Sequence, residues 1–246
     1  MIARTISKTL LAWGVHLLTA STAVIGVYTL IAIYNHQPIL AFSLMSAAIF
    51  VDAIDGTLAR SLKVKMYVPR IDGALLDNMM DYLNYVITPA AFALVYKSLL
   101  PNHYADIIIT IMVLTSAYQF TQNDAKTPDH FFKGFPCYWN IVVFYLFLFH
   151  MQPITNALII LFFSLMIFVP IKYVYPSRMD YLSRRYAVRA AMLIASILYG
   201  VAGLGILWTY PNIHHGLMAY SLLYVIFYFS ASIYRTIYPL PVNHVD

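Results

Sequence analysis

The sequence predicts an all-α protein, a polytopic membrane helical bundle of about eight transmembrane helices with N- and C-termini in the cytoplasm. Three observations predict it: the composition, the series of long apolar runs and the placement of the basic residues. Of the 246 residues, 61% are hydrophobic and 10% are charged, and the mean hydropathy is +0.72. These values are typical of an integral membrane protein and exclude an ordinary soluble domain.

The first apolar run begins at Leu10, after the basic residues Arg4 and Lys8, and continues to about Ile33. Its ~24 residues would span about 36 Å as a helix, which is enough to cross the hydrocarbon core with some tilt. The apolar core of a secretory signal peptide is shorter than this. We therefore interpret the run as an uncleaved first transmembrane helix.

Further apolar segments follow along the rest of the chain. They cover residues 38–60, 72–99, 103–121, 138–150, 153–174, 186–208 and 216–238. No segment shows sustained alternation with a period of two, so β structure is not expected. No repeat or linker marks a second part, and we predict a single membrane domain over residues 1–246.

The basic residues favour eight spans on independent grounds. With a cytoplasmic N-terminus, eight spans place all but Lys97 of the 15 Lys and Arg residues on the cytoplasmic side, as the positive-inside rule requires. Omitting the short segment 138–150 would move Lys172, the arginines of 178–189 and Arg235 to the outside. Topology thus accounts for the net charge of +5, and no nucleic-acid partner is expected.

An acidic stripe lies near the cytoplasmic end of the second span. All ten acidic residues of the chain are aspartates, and half of them fall within residues 51–82. Residues spaced by three, four, seven and eight positions share one face of a helix. The face that carries the first two aspartates is formed by Asp52, Asp55, Gly56, Ala59 and Arg60.

A second stripe, Gly73, Asp77 and Asp81, begins the third span with a spacing of four residues. Two antiparallel helices joined by a short basic loop would bring this face against the one that carries Asp52 and Asp55. The sequence therefore predicts a cluster of four carboxylates at the cytoplasmic boundary of the membrane.

Such a cluster suggests metal-assisted chemistry. Neighbouring carboxylates repel one another unless cations hold them, and oxygen ligands suit Mg²⁺, Mn²⁺ or Ca²⁺ better than zinc. Two divalent cations bridged by carboxylates are a common device for phosphoryl transfer. The alternative is that the aspartates only cap helices and balance Arg60, Lys63 and Lys65, which does not explain why they share faces with glycines on two helices.

The combined pattern, DxxDGxxAR at residues 52–60 and GxxxDxxxD at residues 73–81, resembles the signature of the CDP-alcohol phosphotransferase family, integral membrane enzymes of phospholipid synthesis. Twelve residues separate Arg60 from Gly73, a longer spacer than most of the family has. This spacer and the segments 81–90 and 119–140 are similar to the bacterial phosphatidylcholine synthases within that family.

The resemblance implies roles for the residues of both stripes. Asp52, Asp55 and Asp77 would be ligands of two divalent cations, Mg²⁺ or Mn²⁺, and Asp81 would share the second metal and act as general base. The site for the CDP group would be shaped by Asp55, Gly56, Ala59, Arg60 and Gly73.

The reaction implied by the resemblance is transfer of the phosphatidyl group of CDP-diacylglycerol to choline, with release of CMP. The expected location is the bacterial inner membrane, with a homodimer whose active sites face the cytoplasm. Another acceptor, such as serine, inositol phosphate or glycerol phosphate, remains an alternative within the family. A cation or proton transporter is the alternative from another class, and it would place acids nearer the bilayer midplane.

Aromatic side chains are the expected partners of choline, since its trimethylammonium group is attracted to aromatic faces. The candidates at cytoplasmic ends of spans are Tyr85, Tyr118, Tyr138 and Trp139. Residence in an interfacial aromatic belt is the competing interpretation for each of them. In the segment 121–137, Asp124, Asp129 and His130 are candidates to orient choline or simply part of a solvated loop.

Overall fold

The computed structural model describes residues 2–129, 131–175, 183 and 185–239. Helices account for most of these residues, which confirms the predicted helical class. In chain order the elements are α1 (Ile2–Tyr34), α2 (Pro38–Ser61), α3 (Val64–Tyr67), α4 (Gly73–Asp81), a π-helix (Tyr82–Ile87), α5 (Thr88–Val95), α6 (Ala105–Thr121), β1 (Phe132–Lys133), α7 (Trp139–Phe149), α8 (Pro153–Met166), β2 (Lys172–Tyr173), α9 (Tyr186–Thr209) and α10 (His215–Ile237).

Four of these helices are long and apolar enough to cross a membrane, which indicates a multi-pass membrane protein. They are α1 over Ile6–Tyr34, and the whole of α2, α9 and α10. The helices α6, α7 and α8 are apolar but have 17, 11 and 14 residues, fewer than the ~20 that a spanning helix usually needs. The predicted total of eight spans therefore stays a prediction.

The chain divides into two compact units. The first comprises Met1–Ile109 and Tyr138–Asn156, and the second comprises Thr110–Cys137 and Ala157–Asp246. Both acidic stripes lie in the first unit, so that unit carries the candidate site.

The first unit is built on the buried face of α1. Its buried positions recur every three or four residues, the period of a helix that packs on one side, and α1 packs against α2, α4, the π-helix and α5. Gly26 permits a close approach, because a Cβ there would lie 2.8 Å from Leu83 Cδ2 and 3.1 Å from Asn84 Oδ1. Away from the site, the rings of Phe42, Phe92 and Phe147 join α2, α5 and α7.

The predicted span 72–99 is one helical run in three parts, α4, the π-helix and α5. Asp72 caps its start by accepting hydrogen bonds from the backbone N–H groups of Ala74 and Leu75, both at 3.1 Å. Farther along, Pro89 has no N–H to donate and its ring crowds the preceding turn. A wider turn just before a proline relieves that crowding, which accounts for the π-helix.

The second unit contains a small antiparallel ladder in which Phe132 pairs with Tyr173 and Lys133 with Lys172. The expectation of no β structure is wrong at this point, because strands of two residues are too short to show alternation. The turn after β1 needs Gly134, whose φ is +77° and whose Cβ would lie 2.1 Å from the carbonyl oxygen of Ile167.

Candidate metal centre

The structure brings the two acidic stripes together. Asp52 and Asp55 of α2 and Asp77 of α4 each offer a carboxylate oxygen, and these oxygens all lie within 4.8 Å of one another. Asp81, at the end of α4, lines the same cavity. Asp55 is 4% exposed, and the other three carboxylates are half-buried. The helical spacing of the aspartates therefore correctly predicts that Asp52, Asp55 and Asp77 meet, and Asp81 lies in the same cavity.

The donor set fits a divalent cation. The cluster consists of aspartates, and carboxylate oxygens are the ligands preferred by Mg²⁺, Mn²⁺ and Ca²⁺. Three such oxygens within 4.8 Å of one another are close enough to share one ion.

Two hydroxyl groups donate hydrogen bonds to the carboxylates of α2. Thr19 Oγ1, on α1, donates to Asp55 Oδ2 at 2.6 Å, and the Tyr85 hydroxyl, on the π-helix, donates to Asp52 Oδ2 at 2.8 Å. Both side chains are buried. Tyr85 is a predicted choline contact, and the structure gives it this additional partner.

A third polar side chain connects α1 to the π-helix. The Nδ2 atom of Asn84 donates to the carbonyl oxygens of Thr22 at 3.1 Å and Met80 at 2.9 Å, and Asn84 is 3% exposed. Because Asn84 lies three residues after Asp81, these bonds fix the part of the helix that presents the predicted base.

The acidic motif alone does not identify the contribution of α1. The signal that does is a row of polar and small residues in an otherwise apolar span: His16, Thr19, Thr22 and Gly26 recur every three or four positions on its buried face. Polar side chains inside a membrane span usually face the interior of the bundle, so this row marks the side of α1 that meets the site.

The residues predicted to shape the CDP pocket lie around the same helix ends. A Cβ at Gly56 would lie 3.3 Å from Arg60 Nη1, and the exposed Arg60 donates through Nη2 to Thr57 Oγ1 at 3.1 Å. A Cβ at Gly73 would lie 3.1 Å from His16 Cε1.

Ala59 packs against a buried cluster of Ala12, Val15, Val64 and Val68. Its small side chain therefore lies against the interface between α1 and α3 rather than extending away from α2. Nearby on α1, the buried Nε2 atom of His16 finds no hydrogen-bond partner among the described residues.

Two of the predicted choline contacts lie together. The ring centroids of Tyr85 and Tyr138 are 6.1 Å apart, and Tyr85 lines the cavity of the carboxylates. Trp139, the next residue after Tyr138, is fully buried at the start of α7. Tyr118 belongs to the second unit, where its half-exposed ring packs on Phe168.

The acids of the segment 121–137 are held by lysines. The hydrogen bond and positive charge of Lys133 lower the pKa of the exposed Asp124. Asp129 is buried and pairs with Lys172, with 2.6 Å between Oδ2 and Nζ. Burial raises the pKa of Asp129, but the hydrogen bond from Lys172 helps to outweigh it, so the pKa lies below its ordinary value. The third candidate, His130, lies outside the described residues.

Comparison with known protein families places the chain in a class. Residues 15–174, a range that includes all four clustered aspartates, match the CDP-alcohol phosphatidyltransferase family. The chain therefore belongs to this family, and the resemblance inferred from the aspartate signature is confirmed.

Several curated bacterial relatives of the chain are named phosphatidylcholine synthases. A phosphatidylcholine synthase of Legionella pneumophila is 50% identical over 236 residues, which cover 96% of this chain and 92% of the relative. The phosphatidylcholine synthase of Legionella bozemanae is 52% identical over 217 residues, covering 88% of this chain and all of the relative. That of Borreliella burgdorferi is 43% identical over 169 residues, covering 69% and 72%.

Proposed function

We propose that the protein is a phosphatidylcholine synthase that transfers the phosphatidyl group of CDP-diacylglycerol to choline and releases CMP. The observation that carries this proposal is the meeting of Asp52, Asp55 and Asp77, with Asp81 in the same cavity. Family membership supports the class of reaction, and the relatives named phosphatidylcholine synthase support choline as the acceptor.

Two divalent cations, Mg²⁺ or Mn²⁺, are the proposed cofactors, with Asp52, Asp55, Asp77 and Asp81 as their ligands. When bound, such cations neutralise a diphosphate and stabilise the attacking and leaving oxygens. The all-aspartate donor set is the observation that supports them.

Asp81 is the proposed general base. Its carboxylate accepts the proton of the choline hydroxyl, and the choline oxygen then forms a bond to the phosphorus that carries diacylglycerol. The bond from that phosphorus to the CMP oxygen breaks, and CMP leaves with the bonding electrons as a phosphate monoester. A positioned base of this kind contributes about 10²–10⁴-fold to the rate, so placement of the reactants must supply much of the remainder.

The ends of α2 and α4 supply the proposed CDP site. Gly56 and Gly73 carry no side chains, and the methyl group of Ala59 packs against α1 and α3, so these three positions leave room for a ligand. The guanidinium of Arg60 is exposed and cationic, so it can meet phosphate oxygens with several donors. Asp55 contributes from the same face of α2.

Choline is proposed to bind beside the carboxylates, with Tyr85 and Tyr138 as its aromatic contacts. The two rings are near each other, and each face offers a cation–π attraction of roughly 0.5–2 kcal/mol. Tyr118 and Trp139 stay as predicted contacts.

The proposed setting is the bacterial inner membrane, with eight spans, cytoplasmic termini and a homodimer of single-domain chains. The distribution of Lys and Arg supports this orientation. It places the carboxylates where a water-soluble alcohol and a nucleotide from the cytoplasm can meet a lipid held in the bilayer.

The acceptor is tested by giving detergent-solubilised protein CDP-diacylglycerol with labelled choline, serine, inositol phosphate or glycerol phosphate. We expect CMP release and a labelled lipid with choline alone. Turnover with one of the other alcohols and none with choline would assign the protein to another reaction of the same family.

A further inference from the structure

We infer that Thr19 and Tyr85 are positioning residues that hold the two carboxylates of α2 in the arrangement needed to bind a divalent cation. The inference concerns cation binding by the free protein, and its importance for turnover rests on the proposed function. Neither hydroxyl belongs to the DxxDGxxAR or GxxxDxxxD pattern.

Thr19 is placed to fix Asp55. Its hydroxyl lies 2.6 Å from Asp55 Oδ2, whereas its other acceptor, the carbonyl oxygen of Val15 within α1, is at 3.3 Å. A hydroxyl has one proton to donate, and the shorter distance and the negative charge favour the carboxylate. Thr19 is 7% exposed and Asp55 is 4% exposed, so water does not readily replace this bond.

Tyr85 does the same for Asp52. Its hydroxyl is 2.8 Å from Asp52 Oδ2, and its ring is 7% exposed and lies near that of Tyr138. The packed ring restricts where the hydroxyl can point, so the position of the donor does not depend on its hydrogen bond to Asp52.

The two bonds act on neighbouring carboxylates from two different helices, α1 and the π-helix. Asp52 and Asp55 are one helical turn apart on α2, and two negative side chains at this spacing repel each other. One is held by α1 and the other by the π-helix, so neither carboxylate can rotate away from Asp77 without losing a charge-assisted hydrogen bond. Hydrogen-bond donors of this kind orient metal ligands, and their loss typically weakens metal affinity by ~10–100-fold.

The test measures Mn²⁺ binding to purified protein in detergent, without CDP-diacylglycerol or choline, from the electron paramagnetic resonance signal of free Mn²⁺. We expect Thr19→Val and Tyr85→Phe, which remove only the hydroxyl functions, each to weaken binding about 10-fold or more. Thr19→Ser keeps the hydroxyl and should bind Mn²⁺ within about threefold of the natural protein. In turnover assays, added Mn²⁺ should restore part of the lost rate.

Two matched controls remove similar buried hydroxyls that donate hydrogen bonds to backbone carbonyl oxygens. Thr29, also on α1, donates to the carbonyl oxygen of Ile25 at 2.8 Å, and Tyr228, in the second unit, donates to that of Val174 at 2.9 Å. Thr29→Val and Tyr228→Phe should leave Mn²⁺ affinity unchanged.

Unchanged Mn²⁺ affinity in Thr19→Val and Tyr85→Phe would overturn the inference, as would an equal loss in the two control variants. Weak binding by Thr19→Ser would contradict the role of the Thr19 hydroxyl even if Thr19→Val failed to fold. A higher KM for choline in Tyr85→Phe, with Mn²⁺ affinity intact, would assign Tyr85 to choline alone. Failure of the proposed function is a separate result, since it appears as absent choline-dependent CMP release in the natural protein.

Discussion

The two lysine–aspartate pairs of the second unit permit a sharp prediction, because one pair is mostly buried and the other is exposed. The side chains of Asp129 and Lys172 are 8% and 26% exposed, whereas those of Asp124 and Lys133 are 66% and 39% exposed. We predict that Asp129→Asn destabilises the protein measurably and that Asp124→Asn does not.

The magnitude follows from what each substitution leaves behind. Removing one partner of a fully buried ion pair costs about 3–5 kcal/mol, because the other charge stays buried and unpaired. Lys172 keeps some contact with solvent, so we expect about 2–3 kcal/mol for Asp129→Asn, somewhat below that range. For a chain of this length that corresponds to a midpoint about 4–12 °C lower. An exposed pair contributes little, so Asp124→Asn should leave the midpoint nearly unchanged.

The protein contains its own probe for this measurement. Cys137 is the one cysteine of the sequence and is fully buried, so a thiol-reactive fluorophore labels it only as the surrounding structure opens. Heating each variant with such a reagent in detergent gives the midpoint. Equal midpoints for Asp129→Asn and Asp124→Asn would refute the reasoning, because burial would then make no difference to the two pairs.

The pH dependence has a definite sign. The pKa of Asp129 is lower in the folded protein than its ordinary value, so its contribution to stability is present above the unfolded pKa of about 3.9. That contribution is lost as the pH falls through the folded pKa. The difference in midpoint between the natural protein and Asp129→Asn should therefore be constant near neutrality and shrink in acid. A difference that grew below about pH 4 would contradict the assignment.

Three further predictions concern the site and the topology. Asp81→Asn should lower the rate of CMP release by at least about 10²-fold while Mn²⁺ and CDP-diacylglycerol still bind, and nearly normal turnover would exclude Asp81 as the base. Gly14→Ala, where a Cβ meets nothing within 4 Å, should raise the thermal midpoint, whereas Gly26→Ala, which crowds Leu83, should lower it; a shift in the same direction for both would argue against close packing at Gly26. In a cysteine-free background, Lys97→Cys should react with an impermeant maleimide from outside the cell and Lys126→Cys only after permeabilisation, and the reverse pattern would invert the proposed topology.

The part of the site that could be predicted is the part set by helical periodicity. Asp52 and Asp55 share a face of α2, and Asp77 and Asp81 share a face of the next long helix, so a short connection makes the faces meet. That inference uses only the spacing of residues along each helix. It does not depend on how either helix is supported, which is why it survives comparison with the structure.

The supporting contacts were beyond the same reasoning. Thr19 and Asp55 are 36 positions apart, and no local pattern pairs a threonine of one span with a particular carboxylate of another. The π-helix follows from a conflict between Pro89 and the helix around it, and a proline in a helical pattern more often predicts a kink or an end. The number of spans is harder to predict for a related reason. Hydropathy identifies apolar segments, but the ends of a helix such as α7, with 11 residues, are set by its packing in the fold.

The π-helix has a consequence for the number of residues in this stretch, apart from their identity. A π-helical turn accommodates about one residue more than an α-helical turn, and one residue corresponds to about 100° of rotation in an α-helix. The Tyr82–Ile87 turn therefore sets the phase between α4, which carries Asp77 and Asp81, and α5, which packs against α1 and α7. Deleting one residue there would let a regular α-helix form. It would also rotate the acidic face of α4 by about 100° relative to the apolar face of α5. Side chains can therefore be substituted in α4 or in α5 without altering this rotation. A change in the length of the π-helix would instead move the carboxylates out of position relative to the packed face of α5.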